Sequence, residues 1–257
     1  MNGKPETLKW VSKYISRIVL SAGFVALATT DQATAQGVTI GLGEGGAVTE
    51  RAVQIIALVT ILSLAPSILV MVTSFTRIVV VLSLLRTAIG VQQSPPNTVV
   101  ISLALFLTAF VMAPVFQQAY DAGVKPLIAE EIELGQAFER ASKPFQGFML
   151  QHVREKDLSL FIDMAGEKLP EKPEDISLRV LVPAFMISEL KRAFEIGFLL
   201  FVPFIVIDMV VASVLMSMGM MMLPPIIISL PFKLIFFVLV DGWHLVAGSL
   251  VQSYGGG

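Results

Sequence analysis

The chain is 257 residues long, 55% hydrophobic and 15% charged, with a formal net charge of -2 and no cysteine; its mean hydropathy is +0.79. A soluble domain carries about 25% charged residues, so the composition places this protein in a membrane setting. The charge balance offers no basic footprint for nucleic acid. The lack of cysteine excludes thiolate metal sites, catalytic thiols and disulfides.

Residues 1–35 read as a targeting segment. Lys4, Lys9, Lys13 and Arg17 form a basic start against a single Glu6, residues 18–28 are an apolar stretch too short to cross a bilayer, and Ala33-Thr34-Ala35 supplies a small-x-small cleavage pattern. Cleavage between Ala35 and Gln36 is expected; the alternative is an uncleaved amphipathic anchor. Residues 36–51 then form a glycine-rich, poorly structured lead.

The apolar runs follow. Residues 52–76 carry one charge-free stretch interrupted by Pro66, and about 20 such residues suffice to span the hydrocarbon. Arg77 and Arg86 flank residues 78–85 and are read as a cytoplasmic loop, in keeping with the positive-inside tendency. Gly90 to Pro96 reads as a turn, closing on Pro95-Pro96, with Asn97 capping a second span over 98–116. Residues 117–182 hold 12 acidic and 8 basic side chains, more than half of the chain's 38 charges. This stretch is small for an independent core and reads as a helical, extracytoplasmic cap with a solvated face. A second pair of apolar helices is expected over roughly 182–215 and 226–240, ending at Asp241-Gly242. The predicted fold is thus all-α and membrane-type: two helical hairpins, 52–116 and 183–257, joined by the charged region 117–182.

Between the last two apolar runs lies Met218-Gly219-Met220-Met221-Met222, followed by Leu223-Pro224-Pro225; four of the chain's 12 methionines sit there. Methionine is unbranched and polarizable, so such a cluster deforms around what it touches. From periodicity alone a methionine-rich packing turn is the favoured reading. Residues 80–85 and 210–215 share a pattern, and each is followed by a glycine, Gly90 or Gly219, five residues before a Pro-Pro pair. Two related helix–loop–helix units would explain this, as in many transport proteins.

No phosphate loop, nucleophile elbow or zincin motif is present, and His152 and His244 stand far apart; no cofactor or metal is expected. Asp208 in an apolar run is a candidate proton carrier. The alternative is that Asp208, Lys233, Glu189 and Lys191 pair with one another or between subunits, and subunit contacts are the expectation here. An unpaired charge facing lipid costs on the order of 3 kcal/mol or more. A chain of about four apolar helices has little interior in which to place Arg77, Arg86, Asp208, Lys233 and Asp241, which implies an oligomer. A proton-coupled solute transporter built on Asp208 and a non-conducting scaffold remain the competing readings.

Phe75-Thr76-Arg77-Ile78-Val79-Val80-Val81-Leu82-Ser83-Leu84-Leu85-Arg86, with Gln92-Gln93-Ser94-Pro95-Pro96-Asn97, resembles the signature of the FliP family of flagellar export-gate proteins and their injectisome relatives. The methionine stretch with its Pro-Pro pair, Leu230-Pro231-Phe232-Lys233-Leu234 and Val240-Asp241-Gly242-Trp243 are similar to the same family. The resemblance covers roughly residues 50–254. It implies a core subunit of the flagellar type III export channel in the bacterial inner membrane, forming a pentameric helical assembly with FliQ and FliR. FlhB and FlhA associate with it, FliO assists its assembly, and unfolded rod, hook and filament proteins are its cargo. It implies further that Met218, Met220, Met221 and Met222 ring the pore as a gasket, and that the apolar helices can stand above the membrane plane rather than within it.

Overall fold

The computed structural model describes residues 55–56, 59–60, 63–64, 67–91, 94–167, 172–220 and 223–255. The targeting segment with Ala35 and Gln36, the lead at 36–51, Pro66, and Met221 and Met222 lie outside them. The chain divides into two units, 1–59 and 60–257. In the first, residues 55–56 and 59 are helical. In the second, no strand occurs among the described residues, residues 60, 63–64 and 67–71 are helical, and further α-helices follow: α1 (Phe75–Ile89), α2 (Asn97–Ala119), α3 (Lys125–Ile128), α4 (Leu134–His152), α5 (Glu155–Ala165), α6 (Leu178–Ser217), α7 (Pro225–Leu239) and α8 (Gly242–Gln252).

Helix α1 corrects the sequence reading. The stretch bearing Arg77 and Arg86 is not a loop but a helix of 15 residues. Ile78, Val81, Leu82 and Leu85 recur at three- and four-residue steps and are almost fully buried, which is the spacing that puts side chains on one helical face. Burying one such side chain contributes roughly 1.5–3 kcal/mol, enough for the stripe to fold inward once its cation has a partner. That face lies against α6. Arg77 meets Glu189, and a Cβ on Gly197 would meet Leu84 Cδ1 at 2.3 Å. Both contacts advance in the same direction, so α1 and α6 run parallel, and the missing side chain at Gly197 lets them approach.

Helix α6 extends over 40 residues, about 60 Å at 1.5 Å per residue. It begins at Leu178, inside the charged stretch, so the boundary expected near 183 falls within a continuous helix. Pro183 and Pro203 are accommodated within it. Helix α2 starts with Asn97 as its first residue, and Pro96 in extended conformation precedes it without a side-chain cap; the Asn97 side chain instead accepts a hydrogen bond from Arg86 Nη1. The helical run continues through a π-turn at Tyr120–Val124 and α3, giving an apolar stretch over Asn97–Ile128 of 32 residues. This stretch and α6 are long and apolar enough to cross a membrane, and α7 with α8 forms a third candidate bent by 62°.

The charged stretch folds into α4 and α5, packed on α2 and α6. At the π-turn, a Cβ on Gly123 would lie 2.5 Å from the Ala137 carbonyl oxygen and 2.8 Å from Ala141 Cβ, so α4 rests directly on bare backbone. Because the obstacle is main chain, it cannot rotate away. Gly123→Val is expected to cost about 1–3 kcal/mol, the usual range for overpacking. Limited proteolysis should show α4 cut faster, and an unchanged digestion pattern would refute this contact.

Candidate functional site

Two features of α6 define the site: a string of charged or polar residues facing inward, and an exposed methionine turn at its end. Arg77 and Glu189 are 1% and 0% exposed. The guanidinium forks onto the carboxylate, with Nε donating to Oε2 at 2.9 Å and Nη2 donating to Oε1. Its remaining nitrogen, Nη1, donates to the Ser253 hydroxyl at 3.0 Å and carbonyl at 3.3 Å. The Tyr254 ring covers the cation, 3.8 Å from Cζ to the centroid, and its hydroxyl donates to Glu189 Oε2. Phe148 stacks on Tyr254 at 5.8 Å and His152 lies 5.1 Å from it. Four segments, α1, α4, α6 and residues 253–254, thus converge on one ion pair.

Next to it, Asp157 of α5 accepts from Ser188 Oγ at 2.6 Å and from Arg154 Nε at 2.8 Å, while Ser188 also caps the Arg154 amide at 3.1 Å. Burial pushes the Asp157 carboxyl upward, but the bonds from Ser188 and Arg154 outweigh it and hold the group below its ordinary value. His152 moves downward, first because burial disfavours its cation and then because Arg77 lies near; its bond to the Phe148 carbonyl opposes this.

Farther along α6, Asp208 accepts from Lys233 Nζ at 2.6 Å and from Ser229 Oγ at 2.5 Å. Lys233 also donates to the Ala88 carbonyl at 3.3 Å, where a cation complements the C-terminal end of a helix. This cluster ties α7 to α6 and to the end of α1, and borders a cavity of about 800 Å³.

These partners revise the expected subunit contacts: Glu189 and Lys233 each pair within the chain, because α6 presents Glu189 to α1 and Asp208 to α7. Asp208 has two donors in place, which favours pairing over the proton-carrier reading. Arg86 is half-buried and donates to the Pro95 carbonyl at 3.4 Å, bracing the turn at Pro95-Pro96. Asp241 is exposed with φ +49° at the entry to α8, and its carbonyl accepts from Leu245 at 3.1 Å. Sequence reasoning missed Tyr254, Ser253, Ser229 and Asp157. Ser229 had a signal, since it lies one helical turn before Lys233 on the same face. Tyr254 is one of only three tyrosines. Asp157 had none among so many neighbouring charges.

The methionine turn follows directly from how α6 stops. Gly219 has φ +75°, its amide donates to the Met216 carbonyl at 3.1 Å, and the Met220 amide donates to Leu215 at 3.0 Å. This is the paired hydrogen-bonding pattern of a glycine-terminated helix. It leaves Met218 and Met220 exposed, by 61% and 40%. Pro224 in extended conformation then leads into α7 with Pro225 at its first position, where a missing amide costs nothing. Gly90, φ +91°, ends α1 in the same left-handed conformation, again ahead of a Pro-Pro pair.

An all-α chain with, among its described residues, two membrane-length apolar helices, a third bent candidate, inward-facing ion pairs and an exposed methionine turn is a membrane-type helical protein. A family model described as the FliP family matches residues 58–250, and the chain belongs to that family. It is 65% identical over 236 residues to a flagellar biosynthetic protein FliP of Caulobacter vibrioides, covering 92% of this chain and 89% of that one. The flagellar biosynthetic protein FliP of Bacillus subtilis is 55% identical over 202 residues, 79% and 91% of the two chains. That of Aquifex aeolicus is 49% identical over 246 residues, 94% and 99%.

Glu189→Gln is expected to destabilise the chain strongly, since removing one partner of a buried ion pair costs about 3–5 kcal/mol. The measurement is the thermal midpoint of the detergent-extracted protein, and an unchanged midpoint would contradict the role given to the pair. A second expectation concerns pH. A histidine whose folded value lies below its unfolded value of 6.5 stabilises fully above that pH and loses its contribution as pH falls through it. Stability should therefore decline below pH 6.5, and His152→Gln should flatten that part of the profile; equal slopes for the two proteins would exclude His152 as the cause.

Proposed function

We propose that the chain is a pore-forming subunit of the flagellar type III export gate, passing unfolded rod, hook and filament proteins across the bacterial inner membrane. Membership of the FliP family supports the export role. The single structural observation that carries the pore reading is the exposed methionine turn, Met218 and Met220 held out from the end of a 40-residue apolar helix. Several copies arranged around an axis would bring Met218, Met220, Met221 and Met222 into a ring. Thioether side chains make weakly directional contacts and adapt to varied surfaces, and an apolar constriction excludes ions by dewetting. Such a ring closes on itself and yields to polypeptide of any sequence.

The assembly we infer is a homo-oligomer, a pentamer by family resemblance, completed by FliQ and FliR, with FlhB and FlhA attached and FliO assisting assembly. The exposed apolar side chains on α2 and α6, among them Phe106 and Phe110 on one and Phe198 and Leu199 on the other, fit coverage by neighbouring subunits or lipid. The stretch 117–182 would face the periplasm after removal of residues 1–35.

Replacing Met220, Met221 and Met222 together by Ala should raise the permeability of the closed complex to small ions several-fold while leaving its mass and composition intact. Ion-flux measurement on cells or proteoliposomes containing the complex reads this. Unchanged permeability in an intact complex would reject the gasket, and loss of the complex itself would favour a scaffold role for these residues.

A further inference from the structure

A cavity of about 930 Å³ opens between α2, the π-turn and α4, at the level where the apolar helix enters the charged part of the fold. One wall is apolar, formed by Val111, Pro114 and Val115. It continues along α2 through Phe110 and Phe106, one and two helical turns before Pro114 on the same face, which are 69% and 76% exposed. The other wall is a face of α4 carrying Arg140, Lys143 and Gly147. Arg140 and Lys143 have no ion-pair partner among the described residues. The acid at the rim, Asp121, is engaged by Gln117 Nε2 at 2.9 Å. Deeper in lies His152, 8% exposed. Its Nδ1 sits 2.8 Å from the Phe148 carbonyl; a carbonyl only accepts, so Nδ1 carries the proton and Nε2 is left as an acceptor. Among the described residues no hydrogen bond uses Nε2. Its ring lines the cavity.

We propose that this cavity binds an anionic phospholipid, with the phosphate between Arg140 and Lys143, headgroup hydroxyls toward His152 Nε2, and an acyl chain along Pro114, Phe110 and Phe106. Two free cations at the end of a membrane-length helix match the way basic pockets capture anionic headgroups. The apolar track leading away from them distinguishes a lipid from a small anion. An acidic segment of a neighbouring protein would satisfy the cations but would leave the aromatic track unused.

The test uses the intact complex extracted in mild detergent and titrated with short-chain phosphatidylglycerol, with bound lipid counted by native mass spectrometry. The wild type should bind. Each basic residue near an anionic surface contributes roughly fivefold, so R140Q/K143Q should bind about 25-fold more weakly. A second variant keeps the cations and fills the space: a Cβ on Gly147 meets nothing within 4 Å, so Gly147→Trp can place its ring in the cavity without a main-chain clash and should abolish binding. A control pair elsewhere on the same region, K156Q/K172Q, should bind as the wild type does. Equal binding by R140Q/K143Q would overturn the proposal, as would equal affinity for phosphatidylcholine. Displacement of the lipid by inorganic phosphate at matching concentration would assign the site to a free anion and overturn the lipid reading. Failure of the wild type to bind would do the same.

Discussion

The Arg77–Glu189 pair is the constraint on which the remaining structure depends. Both groups are withdrawn from water almost completely, and an ion pair so placed is compensated only when its geometry and its remaining hydrogen bonds are complete. Here all three guanidinium nitrogens and both carboxylate oxygens are hydrogen-bonded, with Ser253 and Tyr254 supplying the partners outside the pair. Completeness requires four segments to be in place together. Helix α1 cannot slide along α6, because a shift of one turn would strand Arg77. The tail cannot detach, because the ring covering Arg77 and one donor to Glu189 would leave with it. Helix α4 follows, since Phe148 and His152 pack on that same ring.

A second clamp sits at the far end of α1. Ala88 offers its carbonyl to Lys233, which is held by Asp208. Helix α1 is thereby fixed against α6 at both ends by polar contacts, with Leu84 against Gly197 between them. In a membrane-type protein this division of labour has a physical reason. Apolar contacts among helices gain little when lipid or a neighbouring subunit offers equivalent surroundings, so nonpolar packing alone specifies register weakly. Buried polar groups specify it sharply, because a misplaced one has no alternative partner. The exposed face of α2 carries no charge, and that of α6 carries only Arg179 and the Lys191–Glu195 pair in its first half, so the rest of both faces is left to lipid or neighbouring chains.

How much of this was legible beforehand depended on the range of the interaction. The long apolar runs were readable because span length and composition are local properties, and so were the turns at Gly90 and Gly219, whose glycine and Pro-Pro neighbours are local signals. Helix α1 was misread for an instructive reason: Arg77 and Arg86 looked like the edges of a solvated loop, since nothing nearby in sequence could neutralise Arg77. Its partner lies 112 residues away, beyond anything that periodicity reports. The same distance hid the intrachain pairing of Glu189, which was assigned to subunit contacts because the interior of a few apolar helices seemed too small to hold it. The start of α6 differs from the expected boundary because Pro183 resembles a boundary residue. Pro183 is the sixth residue of α6, so the helix forgoes one backbone hydrogen bond there, and packing on α5 carries it through.

The methionine turn gains its meaning from the stiffness on either side of it. Gly219 ends α6 with two backbone hydrogen bonds, and Pro224 and Pro225 begin α7 with restricted backbone angles. Asp208, Ser229 and Lys233 hold the two helices together a short way behind the turn. Met218 and Met220, whose side chains have three rotatable bonds, are thus presented from the anchored end of α6. On the gasket reading we propose, a ring of such side chains would yield to a passing chain and reseal behind it, because the helices that carry them are held together by Asp208, Ser229 and Lys233.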